Sequence, residues 1–166
     1  MILIPKYKDQ IELVGSISFI LTDTTNNRIR KEFYVPNLVV TTGKNFIASR
    51  MVGTSSAIMS HMGIGVGSTA EVVGNTTLAS ELTTGGGYTS YARASLSTAT
   101  SSNNVVTYVA TFAANNPSAP VGGAELREAG IFNASTSGTM LCRTTYPIVT
   151  KLPADALTIT WTITIQ

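Results

Sequence analysis

Nine carboxylates, eleven Lys or Arg side chains, one histidine and one cysteine are the groups with which this chain of 166 residues would have to do chemistry. His61 is the only imidazole, so a Ser-His-Asp relay would have to run through it. Its neighbours Met59, Ser60 and Met62 make no nucleophile elbow, and no G-x-S-x-G occurs. A histidine at the end of a strand is expected to sit at the surface or in a local hydrogen bond. One His, one Cys and scattered carboxylates never approach the spacing of a metal site, so neither metal nor cofactor is expected. Glu125 and Glu128 flank Arg127, and two carboxylates are what a glycosidase requires. An interval of three sends them to opposite faces of a strand, so a structural ion pair or an interface salt bridge is the preferred reading.

Gly63, Gly65 and Gly67 invite comparison with a phosphate-cradling loop, in which glycines let backbone amides approach an anion. The match fails in detail: the run lacks the G-x-G-x-x-G spacing, and no Lys precedes Ser68. Glycines that bend a strand at a sandwich corner, or that permit close backbone packing, account for it better. Asn75-Thr-Thr77 and Asn133-Ala-Ser135 fit the N-x-[ST] pattern, but in a Ser/Thr-rich chain such matches arise by chance. Arg28, Arg30 and Lys31 are expected on a solvated hairpin face, available to an acidic partner.

The elements that must carry these residues are legible from composition and period. Charged residues are 12% of the chain, about half of the usual quarter, while hydrophobic residues at 43% are near the norm. Disorder is excluded by that hydrophobicity, a disulfide scaffold by the single Cys142, and a strongly basic nucleic-acid binder by a net charge of only +2. Ser and Thr occupy 41 positions and Asn another 10, so the surface is largely hydroxyl and amide. Thr is β-branched and favours pleated structure. These features predict a β protein that associates. Neither the opening Met1-Ile-Leu-Ile-Pro5 nor any other apolar run reads as a targeting or membrane-crossing segment, so folding in a cytoplasm is expected.

Leu157, Ile159, Trp161, Ile163 and Ile165 alternate with four threonines without an error, which predicts a half-buried strand with Trp161 in the core. Ile11 to Leu21 and Arg28 to Val35 form a predicted hairpin across the polar turn 23–27. A second hairpin joins Tyr88–Thr98 to Val105–Ala113, and a third joins Leu126–Phe132 to Thr139–Tyr146. Ile58 to Val66 predicts a further strand. One helix is expected after an N-cap at Thr41 or Thr42, with Phe46, Ile47 and Met51 on one side and Gly53 stopping it. A helical turn or two is expected at Leu78–Leu82. About eight strands and one short helix define an all-β fold, an antiparallel β-sandwich of jelly-roll-like or immunoglobulin-like type. Residues 11–166 form the single domain. Residues 1–10, with Ile2, Leu3, Ile4, Lys6, Tyr7 and Lys8, make an edge strand or an arm that reaches a neighbour.

Three stretches, Asn37 to Asn45, His61 to Gly67 with Leu78 to Leu82, and Glu128 to Asn133 with Thr158 to Ile165, together resemble small virion structural proteins of tailed bacteriophages. The resemblance implies a β-rich particle component without catalysis, in which Gly63, Gly65, Gly67, Glu128, Gly130, Phe132 and Trp161 are scaffold positions. It implies a virion protein made in the host cytoplasm, most simply a head decoration or cement protein. Such a protein would oligomerise, as a trimer, and bridge major capsid proteins, with no nucleic-acid or membrane partner. A tail, neck or fibre-base protein is the alternative. A third reading is a carbohydrate-binding module that stacks sugars on Tyr88, Tyr91 and Tyr108.

Overall fold

The computed structural model describes residues 11–54, 57–85, 87–119 and 122–166. The expected arm, with Ile2, Leu3, Ile4, Lys6, Tyr7 and Lys8, lies outside the described residues. Among the described residues, ten strands and one helix follow in the order β1 (Leu13–Asp23), β2 (Arg28–Pro36), β3 (Leu38–Val39), α1 (Thr41–Met51), β4 (His61–Gly65), β5 (Ala94–Ser95), β6 (Thr98–Ser102), β7 (Val105–Phe112), β8 (Ala124–Phe132), β9 (Met140–Lys151) and β10 (Asp155–Ile165). They form two antiparallel five-stranded sheets: sheet A, ordered β2-β1-β10-β7-β6, and sheet B, ordered β3-β9-β8-β4-β5. The fold is an all-β sandwich with one short helix.

The error-free alternation at the C-terminus makes β10 the middle strand of sheet A, in register with β1 from Leu13↔Ile165 to Asp23↔Asp155 and with β7 from Leu157↔Phe112 to Thr164↔Val105. Leu157, Ile159, Trp161 and Ile163 are buried, which at roughly 1.5–3 kcal/mol each stabilises the fold by about 10 kcal/mol before chain entropy is counted. Ile165 departs from the pattern and is 36% exposed. Opposite β10, sheet B contributes Met62, Ile64, Leu126, Ala129, Ile131, Cys142, Tyr146 and Val149 to one continuous core. Phe19 stacks on Phe33 at 4.6 Å between ring centroids, and Tyr146 tilts against both rings.

The first hairpin turns where expected: Asp23 accepts hydrogen bonds from the Thr25 N–H and hydroxyl, and Asn27 takes a positive φ. The third hairpin, β8 to β9, is also as read. The second is shorter than its sequence predicts. β6 begins only at Thr98, and of 88–97 only Ala94 and Ser95 pair as a strand, because Tyr88, Tyr91 and Leu96 bury their side chains as a loop lying against the core.

The helix runs from Thr41 to Met51 and ends at Gly53 with φ +69°. Its N-cap is Val40, without a side-chain cap. Thr42 lies inside the helix and donates its hydroxyl to the Met140 carbonyl, tying α1 to β9. Met51 does not join Phe46 and Ile47 against the core; it is 75% exposed at the helix end. No helix forms at Leu78–Leu82.

Candidate functional site

Met62 and Ile64 of β4 face the main core, so the intervening Gly63 and Gly65 face the other side of sheet B. Gly130 and Phe132 of β8 lie on that same side, since Ile131 points inward. A second, smaller cluster sits there, formed by Phe132 and Met140 with Leu78 and Val40. Sheet B is therefore buried on both faces: sheet A lies on one, α1 and the segment 66–82 on the other.

Glu128 fastens that segment. Its Oε1 accepts the N–H groups of Gly67 at 3.2 Å and Ser80 at 2.6 Å, and its Oε2 accepts that of Ala79 at 2.9 Å. Arg143, one strand over on β9, donates to Oε2 from Nε at 2.9 Å, and its Nη2 lies 2.9 Å from the same oxygen. The remaining guanidinium N–H groups reach Asn75 Oδ1 at 3.0 Å and the Thr69 carbonyl at 2.7 Å. Both ionised side chains are fully buried. The amides of Ala79 and Ser80 would be the free donors at the start of a helix; here they point to a carboxylate on a neighbouring strand, and Leu82 N–H donates to the Ile64 carbonyl. Those partners hold 78–82 as an irregular segment where the sequence predicts a helical turn.

The glycines are the steric condition for this arrangement. A Cβ on Gly67 would overlap the Glu128 carboxylate, and one on Gly65 would overlap the Ser80 carbonyl and stand 2.6 Å from Glu128 Oε1. The glycine run does hold an anion with a backbone amide, as in a phosphate loop. The anion is the chain's own Glu128.

A second ion pair lies beyond Gly63. Arg93 meets Glu81 in a fork, Nε to Oε1 at 2.6 Å and Nη2 to Oε2 at 2.7 Å. Its guanidinium carbon lies 3.4 Å from the Phe132 ring centroid, and Nη1 donates to the carbonyls of Ala134 and Ser137 in the β8–β9 turn. Tyr91 donates its hydroxyl to Glu81 and accepts the Ile64 N–H, and burial together with the Glu81 charge holds its phenol above the usual range.

Gly63, Gly65, Gly67, Glu128, Gly130 and Phe132 thus come together around two ion pairs, whereas Trp161 is apart from them in the inter-sheet core. Arg143, Glu81 and Arg93 complete the centre and were not legible as its members. The available signal was an arginine directly after the apolar run Met140-Leu-Cys142, in a chain with few charges.

The other candidates are dispersed. His61 is half-buried on β4 with Nδ1 2.8 Å from Ser60 Oγ. Glu125 is exposed and 3.5 Å from Arg127. The bulge between Leu126 and Glu128 puts Glu125 on the same outer face of sheet B as Glu128, where the interval of three predicts opposite faces; Ala124, Leu126, Ala129 and Ile131 all enter the main core. Arg30 pairs with the buried Asp155 at 2.7 Å, and Lys31 donates to the Ile148 carbonyl, so of the three hairpin cations two are engaged. Tyr88, Tyr91 and Tyr108 do not form an outward platform. All three pack against the core, and Tyr108 is raised to about 12 by burial and by the nearby Cys142. Among the described residues no group of three His, Cys, Asp or Glu side chains is placed to hold a metal, and no helix is long and apolar enough to cross a membrane. An open cavity of about 250 Å³ lies between the end of α1 and the β6–β7 hairpin, lined by Phe46, Ile58, Met59, Val106 and Tyr108.

No protein-family model, no curated protein sequence and no solved structure matches the chain.

Proposed function

We propose that this chain is a non-enzymatic structural protein of a tailed-bacteriophage particle, a capsid decoration or cement protein that associates with copies of itself and with the major capsid protein lattice. The observation that carries the reading is the division of charge. Glu128, Arg143, Glu81, Arg93 and Asp155 are engaged in holding loops onto sheets, while the outward face of sheet A presents hydroxyl and β-branched side chains. A stiff body with its ion pairs turned inward and a broad neutral face suits lattice contacts better than turnover. A protein that binds the assembled lattice, and not its dissociated subunits, stabilises the particle by mass action.

Imaging of purified particles by electron cryomicroscopy tests the proposal. Copies at positions related by capsid lattice symmetry are expected. A few copies confined to the tail, neck or fibre base would replace the decoration reading with the tail reading, and absence from the particle would overturn both.

A further inference from the structure

The two sheets differ in what lies outside them. The outer face of sheet B is covered by α1 and 66–82, whereas the outward residues of sheet A stay exposed or half-exposed. Register lines them up in rows: Tyr34, Ser18, Thr160, Val109 and Thr98 in one, and Pro36, Ser16, Thr162, Thr107 and Thr100 in the next. Further rows add Ile20, Thr158 and Thr111 above and Val14, Thr164, Val105 and Ser102 below. The only ionisable carboxylate in these rows is Glu32, on the edge strand β2, where it accepts the Tyr34 hydroxyl.

We infer that this face docks a second copy of the same chain, sheet A on sheet A about a two-fold axis. Three properties select that occupant. A hydroxyl both donates and accepts, so a threonine array is complementary to itself; Thr111 and Thr158 already pair at 2.9 Å within one copy. A face without interior charge approaches its own image without burying an unpaired ion. Five strands at about 4.8 Å and four residue pairs at about 6.8 Å give a patch of roughly 24 by 27 Å, some 650 Å² of flat area per copy, near the ~800 Å² per partner of a stable interface.

Charge also chooses the axis. A two-fold axis running along the strands lays β10 on β10 and β2 over the partner's β6, which carries no charge; an axis across the strands would lay the two Glu32-bearing β2 strands on each other. Thr160, at the centre of β10, then meets its own equivalent, and Ser18 meets Val109 of the second copy. The pairing makes a dimer the basic unit in place of the trimer that the resemblance implies. This inference deepens the self-association in the proposed function and rests on that part alone. The purified chain tests it without any particle, so its failure and that of the particle reading are separable.

Sedimentation equilibrium of the full chain is expected to give twice the 17.5 kDa protomer mass at tens of micromolar. Thr160→Glu places two carboxylates face to face on the axis and weakens the pair by about a hundredfold or more, whereas Ser135→Glu, in the exposed β8–β9 turn, leaves it unchanged. A short bismaleimide is expected to join two copies of Thr160→Cys, and to join Ser18→Cys to Val109→Cys in a mixture but not Ser18→Cys to itself. Near-ultraviolet circular dichroism of the buried Trp161 verifies the fold, and Val109→Lys substitutes if Thr160→Glu fails to fold. A monomeric wild type, an exclusively three-fold assembly, or an oligomer that folded Thr160→Glu or Val109→Lys leaves intact would overturn the inference.

Discussion

Glu128 holds three backbone N–H groups and a guanidinium in a site closed to water, and that makes it the residue on which the outer layer of sheet B depends. Arg143→Met leaves the carboxylate buried without its countercharge and is expected to cost about 3–5 kcal/mol in urea unfolding. Glu128→Gln removes the ionised acceptor, and at about 1–3 kcal/mol for each unsatisfied donor its cost is of the same size. The two effects are distinguished from general destabilisation by hydrogen exchange. In Glu128→Gln the amides of Gly67, Ala79 and Ser80 are expected to exchange ahead of those of β10; in Trp161→Ala, expected to cost about 3–5 kcal/mol through a core cavity, they lose protection together. Lys151 is a different case. It is fully buried, donates to the Ala113 carbonyl, and desolvation depresses it to about 8 against the nearby Asp155. Its folded pKa lies below the unfolded value of 10.5, so between about 8 and 10.5 the unfolded chain binds more protons and stability from this group rises with pH. Burial raises Cys142, Tyr91 and Tyr146, which oppose it at high pH. The difference between wild type and Lys151→Met isolates the lysine, and a flat difference across that window would contradict this assignment. Single residues were legible where one strand carries the signal, as with Trp161, and illegible where two distant segments share it. Nothing in Glu128 alone points to Arg143 or to the amides of 66–80.

Elements show the same division. β10 could be read in all but its last residue, Ile165, because its two faces meet different surroundings, a core on one side and threonine neighbours on the other. The segment 88–97 could not, since Tyr88 and Tyr91 bury themselves against the core from a loop, and an apolar residue in such a loop has the same composition as one in a strand. The helix was legible in extent but not in its attachment. Its start depends on contacts with β9: Val40 N–H donates to the Leu141 carbonyl, Thr42 to Met140, and Gly43 packs directly on the Leu141 carbonyl. A methyl on Gly43 has no room against that backbone oxygen. Gly43→Ala, neutral or helpful in an isolated helix, is therefore expected to lower stability here by about 1–3 kcal/mol through overpacking. Thermal unfolding measures it, and an unchanged or raised midpoint would mean that α1 does not seat on β9 as described.

At the scale of the molecule, the arrangement of charge sets how association responds to salt. Contacts steered by surface charge weaken as the screening length falls from about 10 Å at 0.1 M salt to about 3 Å at 1 M. The ion pairs of Glu128 with Arg143 and Glu81 with Arg93 are turned into sheet B, and the rows of sheet A are neutral except for Glu32 at the rim. Self-association through that face should therefore be carried by apolar burial from Val14, Ile20, Val105 and Val109 and by hydroxyl pairing, neither of which is screened. The dissociation constant of the pair is expected to change less than about threefold across that salt range. Association through the cationic β2 edge, where Arg28, Arg30 and Lys31 stand beside Asp23, would instead weaken steeply. Sedimentation at the two salt concentrations separates the cases, since a steep loss of association at high salt assigns the contact to the charged edge and removes it from the threonine face.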